Sequence, residues 1–218
     1  MSLAIIQIGR VIQNANTFNT AQWNQMSMIS NNFQNQVSEF LNLLKTRRID
    51  YALAGGLALL QYVPGRNTED MDLIITTPSL QLLPEVQIKE KNDLFAYGYY
   101  KELKVDFLFA DNNLFELVMK QYVGLRLYEE GTIPTATIDG LILLKLYALP
   151  SLYRQFDMDR VAIYEADLTQ LMYRTKDKAA DFLAVLGKYM TPEDISSLSN
   201  ILNEIQKKIN RFKNGKQQ

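Results

Sequence analysis

The sequence predicts an α+β fold: a mixed sheet with flanking helices, followed by a helical C-terminal half. Three observations carry this expectation. Short apolar runs punctuated by Gly and Pro fill residues 49–136, the pattern of strands joined by turns. From Ile138 onward apolar residues recur at helical spacing instead. The change of texture near residue 137 divides the chain into an N-terminal helical segment (1–48), an α/β core (49–136) and a helical region (137–218).

Each element has its own warrant. Residues 11–36 are rich in Asn and Gln, a composition shared with disordered leaders. Yet Met26, Ile29, Phe33, Val37, Phe40, Leu41 and Leu44 keep a helical period, which predicts a helix over about Thr20 to Arg47. Ile49 to Ala54 reads as a short buried strand, broken by Gly55-Gly56. Leu57 to Val63 reads as a helix ended by Pro64-Gly65, and Glu69 to Thr76 as a strand closed by Pro78. Residues 86–109 read as a β meander, with an aromatic strand around Phe95 to Tyr100 and a strong one at Leu103 to Phe109. Asn113 to Tyr122 suits a helix, and one more strand is expected within Leu127 to Thr135. Ile138 to Leu149 reads as a helix stopped by Pro150, with further helices over Val161 to Tyr173 and Lys178 to Tyr189. Thr191-Pro192-Glu193-Asp194 opens the last one, with Thr as cap, Pro at the first helical position and acids in the first turn.

Composition narrows the chemistry. The chain has 218 residues, 47% hydrophobic and 22% charged, enough apolar material for a real core. A net charge of −1 argues against coating by nucleic acid through bulk charge, though not against a local basic groove. There is no Cys, hence no disulfide and no thiolate zinc site. There is no His, hence no imidazole base or ligand. Catalysis is left to Asp, Glu, Lys, Arg, Tyr, Ser or Thr, and a bound metal to oxygen ligands, which favours Mg²⁺ or Mn²⁺. No run approaches the roughly 18 apolar residues of a membrane span, and no signal peptide is evident, so a cytoplasmic location with no membrane partner is expected.

The densest chemistry lies in Asp70-Met71-Asp72, which opens the apolar run Leu73-Ile74-Ile75. Residues two apart on a strand share a face, so two carboxylates stand side by side, and a divalent cation relieves their repulsion. The alternative is a solvated strand end. Asp106, flanked by Val105, Phe107 and Phe109, is either a third ligand or an edge-strand charge that blocks aggregation. Gly55-Gly56 is either a phosphate cradle of backbone N–H groups or only a tight turn. Lys145, among Leu143, Leu144, Leu146 and Tyr147, is either a phosphate contact or a snorkelling lysine. The tyrosines at 97, 99 and 100 suit base stacking or sheet packing.

The order strand, Gly-Gly, helix, Asp-x-Asp strand, meander, Asp strand resembles the nucleotidyltransferase fold of the DNA polymerase β superfamily. The residues involved are Gly55-Gly56, Asp70, Asp72 and Asp106. A closer resemblance is to the AbiEii-like branch, the bacterial abortive-infection toxins and their relatives. It is carried by Arg66-Asn67-Thr68-Glu69-Asp70-Met71-Asp72, by Lys145-Leu146-Tyr147-Ala148 and by Asp167-Leu168. The stretch Asp157-Met158-Asp159-Arg160 departs from the pattern in part, with Arg160 available as the basic residue ahead of the final acids. The resemblance implies transfer of a nucleotidyl group from an NTP to an acceptor, RNA or protein, with pyrophosphate released. It implies Mg²⁺ or Mn²⁺ on Asp70, Asp72 and Asp106, with those acids and Lys145 as catalytic residues. Gly55, Gly56, Arg66, Thr68, Lys145 and Asp167 are implied as nucleotide-binding. The alternative it leaves open is a non-catalytic nucleotide-binding protein, or a toxin–antitoxin-type interaction protein with a cognate antitoxin.

Overall fold

The computed structural model describes residues 26–63, 68–128, 131–175 and 178–215, with the side chains of 26–31 and 215 excepted. The chain divides into two compact units, Met1–Thr137 and Ile138–Gln218.

The first unit is built on a mixed seven-stranded sheet among the described residues. In chain order its elements are α1 (Met26–Thr46), β1 (Tyr51–Ala54), α2 (Gly55–Leu59), β2 (Asp70–Ile75), α3 (Thr77–Gln81), β3 (Val86–Lys91), β4 (Phe95–Tyr100), β5 (Leu103–Phe109), α4 (Asn113–Gln121), β6 (Val123–Tyr128) and β7 (Gly131–Ala136). The strands lie in the order β3-β4-β5-β2-β1-β7-β6. Two neighbouring pairs are parallel, β2 with β5 and β1 with β7, and the others are antiparallel. The centre is apolar on the covered face: Met71 and Leu73 of β2 and Val105 and Phe107 of β5 are fully buried. Asp70, Asp72, Lys104 and Asp106, which alternate with them at the start of β2 and β5, are only half-buried, whereas Ile74 further along β2 is fully buried. The period-2 split thus holds at the start of the two strands, where the second face opens.

Helix α1 shows what the Asn/Gln-rich stretch does where it is described. Gln36 accepts from the Glu102 backbone N–H at 3.1 Å, and Asn32 donates to the Glu102 carboxylate at 2.6 Å. Lys101 pairs with Glu39, and the Phe40 and Tyr100 rings stand 4.9 Å apart. The amides thus pin the β4–β5 turn to the helix. The rest of the Asn/Gln-rich segment, and the expected start of the helix near Thr20, lie outside the described residues.

Three expectations need correction. The region after α4 holds a hairpin of two strands, β6 and β7, where one strand was expected within Leu127 to Thr135. Pro134 sits in β7 opposite Leu125; the expected helix ended at Tyr122 and the expected strand began no earlier than Leu127, so most of β6 fell in the stretch between them. The helix that opens the second unit does not stop at Pro150. It runs as α5 (Ile138–Arg154) with Pro150 inside it and buried. Proline removes one helical hydrogen bond, but the apolar face of α5 continues past it to Leu152, and packing outweighs the lost bond. The segment after Gly55-Gly56 is helical from Gly55 itself rather than from Leu57.

The second unit continues with α6 (Met158–Arg174), α7 (Ala179–Leu186) and α8 (Pro192–Gly215). Its core is drawn from Leu141, Leu146, Leu168, Leu171, Leu198 and Leu202. Asp157 caps α6 by accepting from the Arg160 N–H at 3.1 Å. Thr191 caps α8 by accepting from the Asp194 N–H at 3.2 Å, as its sequence signature predicts.

Candidate functional site

The site grows out of strand register. In the parallel pair β2–β5, Asp72 lies opposite Asp106, and Asp70 opposite Lys104. Residues in register on adjacent strands share a face, so all three acids and Lys104 project from the same side of the sheet centre. Across the antiparallel pair β4–β5, Tyr97 stands opposite Asp106 and Tyr99 opposite Lys104. The result is two rows over three strands: Asp72, Asp106 and Tyr97 in one, Asp70, Lys104 and Tyr99 in the other. Tyr100 belongs elsewhere, packed on Phe40.

Electrostatics ties the rows together. The Lys104 ammonium reaches the Asp106 carboxylate at 2.8 Å and that of Asp70 at 3.7 Å. It also stands 5.5 Å from the centre of the Tyr97 ring. Burial by itself would lower the Lys104 pKa. The hydrogen bond to Asp106 and the charges of Asp106, Asp70 and Asp72 outweigh it and hold the ammonium above its ordinary value. Thr68, buried just before β2, donates its hydroxyl to the backbone oxygen and the carboxylate of Asp70, both at 3.3 Å.

The Gly-Gly turn closes directly over Asp72. Gly55 takes a positive φ of 55°, a conformation that favours glycine. A Cβ there would lie 1.7 Å from the Asp72 Oδ2. The Gly56 N–H donates to that same oxygen at 3.1 Å. Gly55 is therefore required by the close approach of an acid, and Gly56 lends that acid its backbone N–H. The amide expected to face a phosphate is engaged by a carboxylate of the chain itself.

The donors suit an oxygen-seeking divalent cation in kind, being half-exposed carboxylates on one face. As the side chains stand, no three acids among the described residues converge as a cation cage, and Lys104 supplies the positive charge. Sequence reasoning passed over this lysine because a charged residue in a strand reads as its solvated face. The signal was present nonetheless: Lys104-Val105-Asp106 has the same i, i+2 spacing that singled out Asp70 and Asp72.

The remaining expected residues fall as follows. Arg66 lies outside the described residues. Lys145 of α5 and Asp167 of α6 are brought together, 2.8 Å apart, and only 6% and 4% exposed. The Tyr164 ring lies 4.0 Å from the Lys145 ammonium. Lys145 is thus no snorkelling lysine; it belongs to a buried ion pair capped by an aromatic face. Arg160 is exposed and turns back to its own helix cap, 3.6 Å from the Asp157 carboxylate. Glu165 accepts from the Tyr153 hydroxyl at 2.5 Å, which pushes that phenol up to about 12. Among the described residues no helix is long and apolar enough to cross a membrane.

No known protein family matches the sequence, and no curated protein does. Solved structures similar to it include the following three. The first is an antigenic nucleotidyltransferase-like protein from Paracoccidioides brasiliensis, at 17% identity and a TM-score of 0.47, over 75% of this chain and 90% of the other. The second is the antibiotic-resistance factor ANT(2'')-Ia in solution, at 11% identity and 0.44, over 83% and 96%. The third is a crystal structure of ANT(2'')-Ia in complex with adenylyl-2''-tobramycin, at 11% identity and 0.40, over 78% and 97%.

Proposed function

We propose that the chain is a metal-dependent nucleotidyltransferase that moves a nucleotidyl group from an NTP to an acceptor and releases pyrophosphate. One observation carries the reading: Asp72 and Asp106 are in register on adjacent parallel strands, with Asp70 on the same face. Asp70, Asp72 and Asp106 are the residues proposed to hold Mg²⁺ or Mn²⁺. Bound there, the ion supplies charge neutralisation at the triphosphate and a Lewis acid for the acceptor oxygen. Asp106 is proposed to take a proton from an acceptor hydroxyl once its bond to Lys104 is released. Thr68 steadies Asp70 by its hydroxyl. Gly55 and Gly56, with Arg66, are proposed to line the triphosphate, the Gly56 amide exchanging its bond to Asp72 for one to phosphate. Lys145 and Asp167 are proposed nucleotide-binding residues of the helical unit. The acceptor is proposed to be RNA or protein, and kinship with the AbiEii-like toxins, with a cognate antitoxin, rests on the resemblance of Arg66-Asn67-Thr68-Glu69-Asp70-Met71-Asp72, Lys145-Leu146-Tyr147-Ala148 and Asp167-Leu168 to that branch.

The test is calorimetry with Mn²⁺ and a non-hydrolysable NTP. Binding is expected for the parent chain and lost in Asp70→Asn/Asp72→Asn. Undiminished binding in that double variant refutes the assignment. A second reading, a non-catalytic member of the same fold, is favoured by one feature: the Gly56 amide and the acids already satisfy one another and Lys104. A pyrophosphate-release assay with the four NTPs and Mg²⁺ separates the two.

A further inference from the structure

We propose that Lys104 is the resident counter-ion of the carboxylate cluster, and that it couples entry of a divalent cation to arrival of a polyanionic substrate. The inference rests on the nucleotidyltransferase reading and adds to it how the site is loaded.

Lys104 contacts two of the three proposed ligands, Asp106 at 2.8 Å and Asp70 at 3.7 Å. The third, Asp72, is the register partner of Asp106. An ammonium and a divalent cation are drawn to the same oxygens and repel each other at such range. The two therefore exclude one another unless the lysine moves. It is built to move. Its charge sits on a flexible four-carbon stem, its side chain is 31% exposed, and the Tyr97 ring, already 5.5 Å from the ammonium, is a cation–π contact that does not depend on the carboxylates. A triphosphate brings acceptors with more negative charge than one carboxylate. When it arrives the ammonium transfers to phosphate, and the oxygens of Asp70 and Asp106 turn to the cation. Without a polyanion the lysine stays and keeps the cluster balanced.

Binding of Mn²⁺ alone, read from loss of the free-ion electron paramagnetic resonance signal, tests this without reference to turnover. Lys104→Met is expected to bind Mn²⁺ about tenfold tighter than the parent, the scale of losing one competing charged hydrogen bond. Lys104→Arg keeps the charge and is expected to stay within about twofold of the parent. Asp72→Asn added to Lys104→Met should abolish the gain. Addition of α,β-methylene-ATP should tighten Mn²⁺ binding more in the parent than in Lys104→Met. Lys104→Gln, with circular dichroism of every variant, guards against a misfolded Lys104→Met. If the parent binds Mn²⁺ with the nucleotide analogue but neither neutral variant binds the bare ion more tightly, the role of Lys104 is overturned and the nucleotidyltransferase reading stands. If none of the proteins binds Mn²⁺ with or without the analogue, both fall.

Discussion

Replacing Gly55 by alanine probes the tightest contact in the site. The new Cβ would lie 1.7 Å from the Asp72 Oδ2, 2.0 Å from its Cγ and 2.6 Å from its Cβ. No rotation of a terminal atom relieves all three, so the aspartate must leave or the turn must open. Two costs add. An L-residue at a φ of 55° loses about 1–2 kcal/mol. Displacing the carboxylate forfeits the Gly56 N–H bond to a charged acceptor, about 1.5–3 kcal/mol. The sum is about 2.5–5 kcal/mol, or about 10 °C in melting temperature for a chain of this length. Urea titration followed by far-ultraviolet circular dichroism measures it. Gly124→Ala is the control, because its Cβ would meet only the Thr137 Cγ2 at 3.9 Å. It should change stability by about 1 kcal/mol or less. In an Asp72→Ala background the cost of Gly55→Ala should shrink by at least about 1 kcal/mol, since the two residues are in contact. A Gly55→Ala protein within about 1 kcal/mol of the parent would show that Asp72 does not rest against this turn.

Further outcomes follow from the other contacts. Lys145→Ala and Asp167→Ala each strand a buried charge and should cost about 3–5 kcal/mol by urea titration, whereas Lys145→Met/Asp167→Leu should recover most of it; equal losses in all three would contradict a buried pair. Tyr51 and Tyr128 are pushed up to about 12, in both cases first by burial. Folding then stabilises the protonated phenols: that contribution is intact below pH 10 and declines as pH rises towards 12, at about 1.4 kcal/mol per pH unit for each tyrosine. Tyr51→Phe should flatten the alkaline fall in urea midpoint, and an unchanged slope would refute it. Asp157→Ala removes the cap of α6 and should lower stability by about 1 kcal/mol.

Much of the first unit was legible because its strands carry strong period-2 signals. Asp70 and Asp72 could be assigned to one face from spacing alone, since a pleated strand leaves a side chain only two directions, whereas Asp106 joins them through β2–β5 register. What spacing cannot give is the partner of a polar group. For Gly55-Gly56 the sequence leaves a phosphate cradle and a tight turn both open, because whether an amide is free depends on Asp72, sixteen residues away and arriving from the neighbouring strand. The same limit hid Lys104: its importance lies in a contact with Asp70, set by β2–β5 register. Pro150 misled for a different reason. A helix stop is a local penalty, and the buried face from Leu141 to Leu152 is a larger, non-local gain.

Strand β1, interior to the sheet, is four residues long and buried throughout. Its two neighbours come later in the chain, β2 on one side and β7 on the other. During synthesis β1 therefore emerges before either partner and waits with both edges bare. The β2 side is closed within some twenty-five residues, but the β7 side only once Thr135 has been made. The sheet is sealed by its last strand, so the unit folds at a single late point rather than piece by piece. A ribosome paused before β7 holds a chain whose most apolar strand is still open on one edge, the arrangement most prone to pairing with another chain. A premature stop there yields an aggregating fragment and not a smaller version of the protein.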